Sequence, residues 1–250
     1  MVSTPRMQHL YSLGLAGHDQ VNRAFGGGLP TGSLVVIEGQ YGAGKTTLAR
    51  RFAYGLCEQS QTVTYLSTEH GLGPFLSQMR SLSYDVQKSL LRRELLYLFG
   101  NLGDGNPDEQ PELLSKLQGA QQLWQSDVVL LDTFSDILLY DPTVSSLVSA
   151  TTQRHAIQRI ISFFRRITAT GTTIVLLVSP SGLPEQILEP LRAVGDVLLD
   201  ITVTGGGRQR QRQINVRRFA GMGQQVADQI GFSIRPNTGI VINTSQVVRR

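Results

Sequence analysis

A loop that wraps a phosphate chain dictates its surroundings. A buried strand must deliver the backbone to it, and a helix must begin inside it so that the helix's free N–H groups meet the anion. Gly39-Gln40-Tyr41-Gly42-Ala43-Gly44-Lys45-Thr46 fits G-x-x-x-x-G-K-[ST] at every fixed position. The flanks comply: "SLVVIEG" is a short apolar run with β-branched residues, and a helix is expected from about Lys45 to Glu58. Glycines let the backbone close around phosphates with its N–H groups inward. Lys45 can reach the β- and γ-phosphates, the Thr46 hydroxyl can bind Mg²⁺, and Thr47 belongs to the same nucleotide-contacting run. The expected cofactors are ATP and Mg²⁺.

The rest of the chain is consistent with an α/β domain. "DQVNRAF" reads as one or two helical turns with Asp19 as the cap, and "GGGLPTG" as a turn. Strands are predicted at Thr62–Thr68, Glu94–Gly100, Asp127–Asp132 and Thr172–Ser179. Between them lie a helix with Phe75, Leu76, Met79 and Leu82 on one face, a helix from Pro111 to about Trp124, and a helix over 152–169. After residue 194 the pattern changes to half-polar strands, ending in a hairpin that turns at Pro236-Asn237-Thr238-Gly239. This order predicts a mainly parallel central sheet flanked by helices, extended by antiparallel C-terminal strands. No linker is long or polar enough to divide residues 1–250, so a single ATP-binding domain is expected, with 1–18 as an irregular N-terminal segment. The lone cysteine, Cys57, excludes an internal disulfide and reads as a small buried hydrophobe. No apolar run is long enough to span a bilayer and no signal-peptide core is present, so a cytoplasmic protein is expected.

Two further carboxylates are placed by strand ends. Asp132 closes the run Val128–Leu131 and is the candidate to hold Mg²⁺. Glu69 ends the second strand; in a parallel sheet it faces the same crevice as Lys45 and Asp132, where it either orients an attacking water or is simply an exposed acid. His70 reads as a loop residue. Ser179 either senses the γ-phosphate or caps a turn.

"GHDQVNRAFGGGLPTGSLVVIEGQYGAGKTTLARRFAYG" and "VTYLSTEHGLGPFLSQMRSLSYDV" together resemble the KaiC-like branch of the RecA superfamily, and within it the FlaH group of accessory ATPases of the archaeal flagellum, or archaellum. The resemblance runs from about Leu13 to Val248. It implies a RecA-like P-loop fold, ATP and Mg²⁺ at Lys45 and Thr46, Asp132 as the acid of the Walker B strand and Glu69 as the base. It also implies a homo-oligomeric ring at the inner face of the cell membrane, working with a secretion-type motor ATPase and a membrane platform protein, with membrane association only through those partners. Relatives usually carry paired glutamates where this chain has Glu69-His70, which lowers the expected hydrolysis rate to that of a weak ATPase. Relatives also carry a Lys-x-Arg pair that reaches a neighbour's nucleotide; here Arg217 and Arg218 occupy that stretch, with Ala220 where the Arg would fall.

Charge is unevenly spread. Residues 201–250 hold eight Arg and one acid, while the chain as a whole is +4, so residues 1–200 carry −3. In "RQRQRQ", Arg208, Arg210 and Arg212 share one face of a strand. Three readings are open: a charged edge strand that resists aggregation, a subunit contact in which the arginines face a neighbour's nucleotide or acidic surface, or an anionic partner such as nucleic acid or lipid. A RecA-like recombination or repair ATPase is the main alternative function. The loops after Asp132 and Ser179 carry acids and no cation before Arg154 and Arg192, so nucleic acid is not an expected partner. A KaiC-like signalling ATPase or kinase is the third class. The leading expectation is an archaellum-type accessory protein in which ATP governs assembly or docking.

Overall fold

The structure is a computed structural model and describes residues 9–15, 19–100, 113–141, 144, 149–205, 211–222 and 224–243. The elements are β1 (Leu10–Tyr11), α1 (Val21–Ala24), β2 (Leu29–Pro30), β3 (Leu34–Gly39), α2 (Lys45–Glu58), β4 (Val63–Ser67), α3 (Leu72–Ser81), α4 (Gln87–Leu91) and β5 (Leu95–Phe99). There follow α5 (Leu113–Gly119), β6 (Val128–Leu131), α6 (Phe134–Leu139), α7 (Ala150–Thr168), β7 (Thr173–Val178), α8 (Glu185–Val194), β8 (Val197–Thr204), β9 (Gln211–Phe219), β10 (Gln229–Arg235) and β11 (Gly239–Ile242).

Nine strands form one sheet in the order β11-β10-β9-β8-β3-β7-β6-β4-β5. From β8 to β5 every neighbouring pair is parallel; β9, β10 and β11 add antiparallel. Val35 and Ile37 of β3 point into a core built with α2, while Leu34 and Val36 point into a second core with α6, α7 and α8. Burial on both faces explains why β3 and β7 read as continuous apolar runs, whereas β8 alternates because one of its faces is less buried. Cys57 is buried in the α2 core, and burial pushes its thiol up to about 12, as befits a small hydrophobe.

Several expectations change. The helix predicted from Pro111 to Trp124 stops at Gly119 and resumes as a 3₁₀ turn over Gln121–Gln125, which lets the Trp124 indole donate to the Leu117 carbonyl at 2.8 Å; Pro111 lies outside the described residues. Asp19 accepts from the Val21 N–H at 3.0 Å, as a cap would, but its main partner is Arg51. The edge-strand reading fails for Arg212: β9 lies inside the sheet, between β8 and β10. Arg208 and Arg210 lie outside the described residues. Among those described, no helix is long and apolar enough to cross a membrane.

Candidate nucleotide-binding site

The C-terminal ends of β3, β4, β6 and β7 meet at one edge of the sheet, where ligands of open α/β sheets bind. A cavity of about 290 Å³ opens there. It gathers Lys45, Thr46, Thr47, Glu69, Asp132 and Ser179, together with Tyr41, Gly42 and Gly44 of the loop. Gly39, Gln40 and Ala43 border an adjoining concavity of about 800 Å³, which Tyr41 and Gly42 also line.

The loop is held by its own chemistry. Gly44 has φ of +109° at the start of α2, and a Cβ there would press on Ile234 and Phe232 at 3.3 and 3.4 Å. The Lys45 ammonium donates to the carbonyls of Gly39 at 2.7 Å and Gln40 at 3.1 Å, and lies 5.6 Å from the centre of the Tyr41 ring. Burial pulls the Lys45 pKa below its ordinary value, against the opposing pull of Asp132, Glu69 and Asp136.

Asp132 is fixed from two sides. The Thr46 hydroxyl donates to its Oδ1 at 3.0 Å and the Tyr65 phenol to its Oδ2 at 2.8 Å. Burial raises its carboxyl pKa; the Tyr65 and Thr46 hydrogen bonds and the Arg50 charge oppose the rise, and Glu69 adds to it. A carboxylate oxygen touching a hydroxyl oxygen at a helix N-terminus is a donor set that suits a hard, oxygen-seeking cation, so Thr46 and Asp132 fit Mg²⁺. The next residue, Thr133, takes a left-handed φ of +63° and its hydroxyl bonds that of Thr68, tying the end of β6 to the bend after β4.

Glu69 sits on that bend. It is exposed, and its backbone N–H donates to the Ser67 hydroxyl at 3.3 Å. His70 contributes its carbonyl to the Tyr97 hydroxyl and does not line the cavity. Ser179 borders the cavity, with its N–H donating to the Ser135 hydroxyl at 2.6 Å. Arg217 and Arg218 are elsewhere. Arg217 pairs with Asp200 at 3.2 Å, and Arg218 donates to the carbonyls of Arg192, Ala193 and Gly195, closing the C-terminal end of α8.

Sequence reasoning missed Tyr65 and Asp136 as site residues, and considered Arg212 only as a contact to a neighbour, not as lining the cavity of its own chain. Tyr65 pairs with Leu130 across β4 and β6, so strand period carries it towards Asp132. Asp136 follows Asp132 by four residues on α6, reaches the cavity and accepts from the Tyr41 phenol at 3.1 Å; α6 itself was not foreseen. The position of Arg212 depends on how β9 enters the sheet.

The family model for the KaiC ATPases matches residues 13–247. The chain belongs to the KaiC family. Membership in this ATPase family implies that the chain binds ATP. The archaeal flagellar ATP-binding protein FlaH of Methanocaldococcus jannaschii is 28% identical, over 92% of this chain and 94% of its own. FlaH of Methanococcus voltae is 26% identical over 92% and 95%. The crystal structure of the flagellar accessory protein FlaH from M. jannaschii superposes with a TM-score of 0.81 at 29% identity, covering 94% of this chain and 99% of that one. The fold is therefore the RecA-like one of the KaiC family, and the chain is most like FlaH within it.

Proposed function

We propose that the chain is an archaellum-type accessory ATPase: it holds Mg·ATP at Lys45, Thr46 and Asp132, the bound nucleotide governs ring assembly or docking, and hydrolysis is slow or secondary. One contrast supports the reading. Lys45 and Asp132 are buried, Thr46 is half-buried and all three are hydrogen-bonded, whereas the water-orienting candidate, Glu69, is exposed and followed by His70 rather than a second glutamate. The FlaH relatives, archaeal flagellar ATP-binding proteins, suggest the setting; a motor ATPase and a membrane platform protein are the partners this reading expects.

The test compares the size of the wild type and Lys45→Ala by chromatography with and without Mg·ATP. The reading expects a nucleotide-dependent change in assembly that Lys45→Ala abolishes. Assembly and partner binding indifferent to both nucleotide and mutation would overturn the switch. Salt-sensitive binding of single-stranded DNA at micromolar protein would replace it with the recombinase reading.

A further inference from the structure

Helix α7 carries four arginines, a histidine and no acid, and neither the fold nor the proposed function uses them. Its apolar side fills the second core with Ile157, Ile160, Ile161 and Phe164. On its other side His155, Arg159, Ser162 and Arg166 fall at i, i+4, i+7 and i+11, all exposed. They form one stripe about 16 Å long. With Gln158, and with Gln118 of α5 opposite, they line a groove of about 650 Å³. Phe163 forms part of its wall. The Arg166 guanidinium lies 5.8 Å from the centre of the Phe163 ring, which the Trp124 indole holds edge-on.

The charge on this stripe is unanswered. Arg51, Arg192 and Arg217 each meet a carboxylate. Among the described residues, none of Arg154, Arg159, Arg165 and Arg166 does. A helix face that only had to be solvated would do better with mixed signs, because opposite charges one turn apart stabilise it and like charges do not. The groove's chemistry says what would answer the charge. A guanidinium grips a carboxylate through two parallel bonds. The Gln118 and Gln158 amides and the Ser162 hydroxyl can both donate to and accept from a peptide backbone. The stripe is long enough for roughly five residues of extended chain. Nucleic acid would find no platform for its bases, since Phe163 is buried with Arg166 over its ring. A membrane would find no anchor: among the described residues, no large apolar side chain is exposed on α5 or α7.

We propose that the groove between α5 and α7 docks an acidic peptide segment of a protein partner, with Arg159 and Arg166 clasping its carboxylates. The surface is separate from the nucleotide cavity: α7 covers the face of the sheet opposite α2, and none of its residues lines that cavity. The partner supplies the counter-charge that the fold withholds from these arginines. Docking here needs no nucleotide, so it stands or falls apart from the ATP reading.

The experiment follows the fluorescence anisotropy of labelled hexaglutamate titrated with the full chain, at low and raised salt. Labelled oligothymidylate and phosphatidylglycerol vesicles are titrated alongside. Hexaglutamate should bind saturably, and salt should weaken it. Arg159→Gln with Arg166→Gln should weaken it about tenfold, the scale of two exposed ion pairs, without lowering the melting temperature. Arg23→Gln with Arg80→Gln removes the same charge from exposed positions on α1 and α3 and should bind as the wild type does. If the first double variant melts lower, Ser162→Glu decides: it keeps both arginines, sets a carboxylate between them, and must weaken binding to the same degree. Equal losses in the two double variants would reduce the effect to net charge and overturn the proposal. Oligothymidylate or vesicles bound through Arg159 and Arg166 in place of hexaglutamate would overturn it in favour of nucleic acid or lipid. Self-association of the wild type that Arg159→Gln with Arg166→Gln abolishes would make the occupant a second copy and overturn it too. So would a wild type that does not bind hexaglutamate, and none of these results touches the nucleotide reading.

Discussion

Replacing Asp19 by Ala should be among the most damaging single changes outside the nucleotide site. Arg51 lies on α2, one turn after Leu48, and is fully buried; Asp19 is 5% exposed. The guanidinium is satisfied by both Asp19 oxygens and by the carbonyls of Leu13, at 2.8 Å, and Gly14, at 3.2 Å. It thus ties the N-terminal segment to the helix that carries Lys45. Removing the carboxylate strands a buried cation, a loss of about 3–5 kcal/mol. The bond from the Val21 N–H to Asp19 goes too, adding about 1 kcal/mol. A loss of about 4–6 kcal/mol is a large part of the roughly 5–15 kcal/mol that stabilises a typical domain. For a chain of this size each kcal/mol shifts the melting temperature by about 2–4 °C, so a fall of at least about 8 °C is expected. Urea unfolding measures the free energy and calorimetry the melting temperature. The double variant Asp19→Ala with Arg51→Met should be more stable than Asp19→Ala alone, because no charge is then left unpaired. A loss below about 1.5 kcal/mol in the single variant, or a double variant no better than the single, would refute the argument.

Three other outcomes follow from named contacts. Gly55→Ala should destabilise despite gaining about 1 kcal/mol of helix propensity, because a Cβ there would sit 1.9 Å from the Leu13 carbonyl and 2.2 Å from the Arg51 guanidinium; a higher urea midpoint would contradict this. Asp132, whose carboxyl pKa burial raises above 3.8, binds a proton more tightly folded than unfolded, so its ionisation burdens the ligand-free fold as pH rises through that raised value. Asp132→Asn should therefore leave the ligand-free melting temperature at neutral pH unchanged or higher while weakening Mg²⁺-dependent ATP binding about tenfold or more, and Tyr65→Phe, by removing a donor to the carboxylate, should move the acid-side loss of that binding to higher pH in a titration series. Glu69→Gln should slow ATP hydrolysis by the isolated protein less than about tenfold, where a preorganised general base is worth about 10²–10⁴; a larger fall in a phosphate-release assay would mean that Glu69 is already in working position.

What was legible in the sequence is what local pattern governs. Strands β3, β6 and β7 are apolar because both faces are buried, so their ends, and with them Lys45, Asp132 and Ser179, could be placed by reading alone. The Arg51–Asp19 pair could not: it joins residues 32 apart, and Arg51 in a helical run looks like an ordinary exposed cation. Helix α8 was hidden by Pro190, a residue that argues against a helix unless tertiary packing overrides it; Ile187, Leu188 and Leu191 supply that packing. The neighbours of β9 were hidden for a related reason. Alternating Arg and Gln signals a half-solvated strand but not its neighbours, and only the pairing of β9 with both β8 and β10 turns Arg212 towards the nucleotide site.

The geometry of the site also bears on why ATP would serve such a chain better as a brace than as fuel. Binding needs groups that are already in place, and here Lys45, Thr46 and Asp132 are each held by bonds within the fold before any ligand arrives. Hydrolysis additionally needs a base held within hydrogen-bond reach of one water, because a carboxylate that samples many positions forfeits most of the rate it could supply. Glu69 sits on a bend, is exposed at the cavity, and the Thr68–Thr133 hydroxyl contact secures the residue before it rather than its own carboxylate.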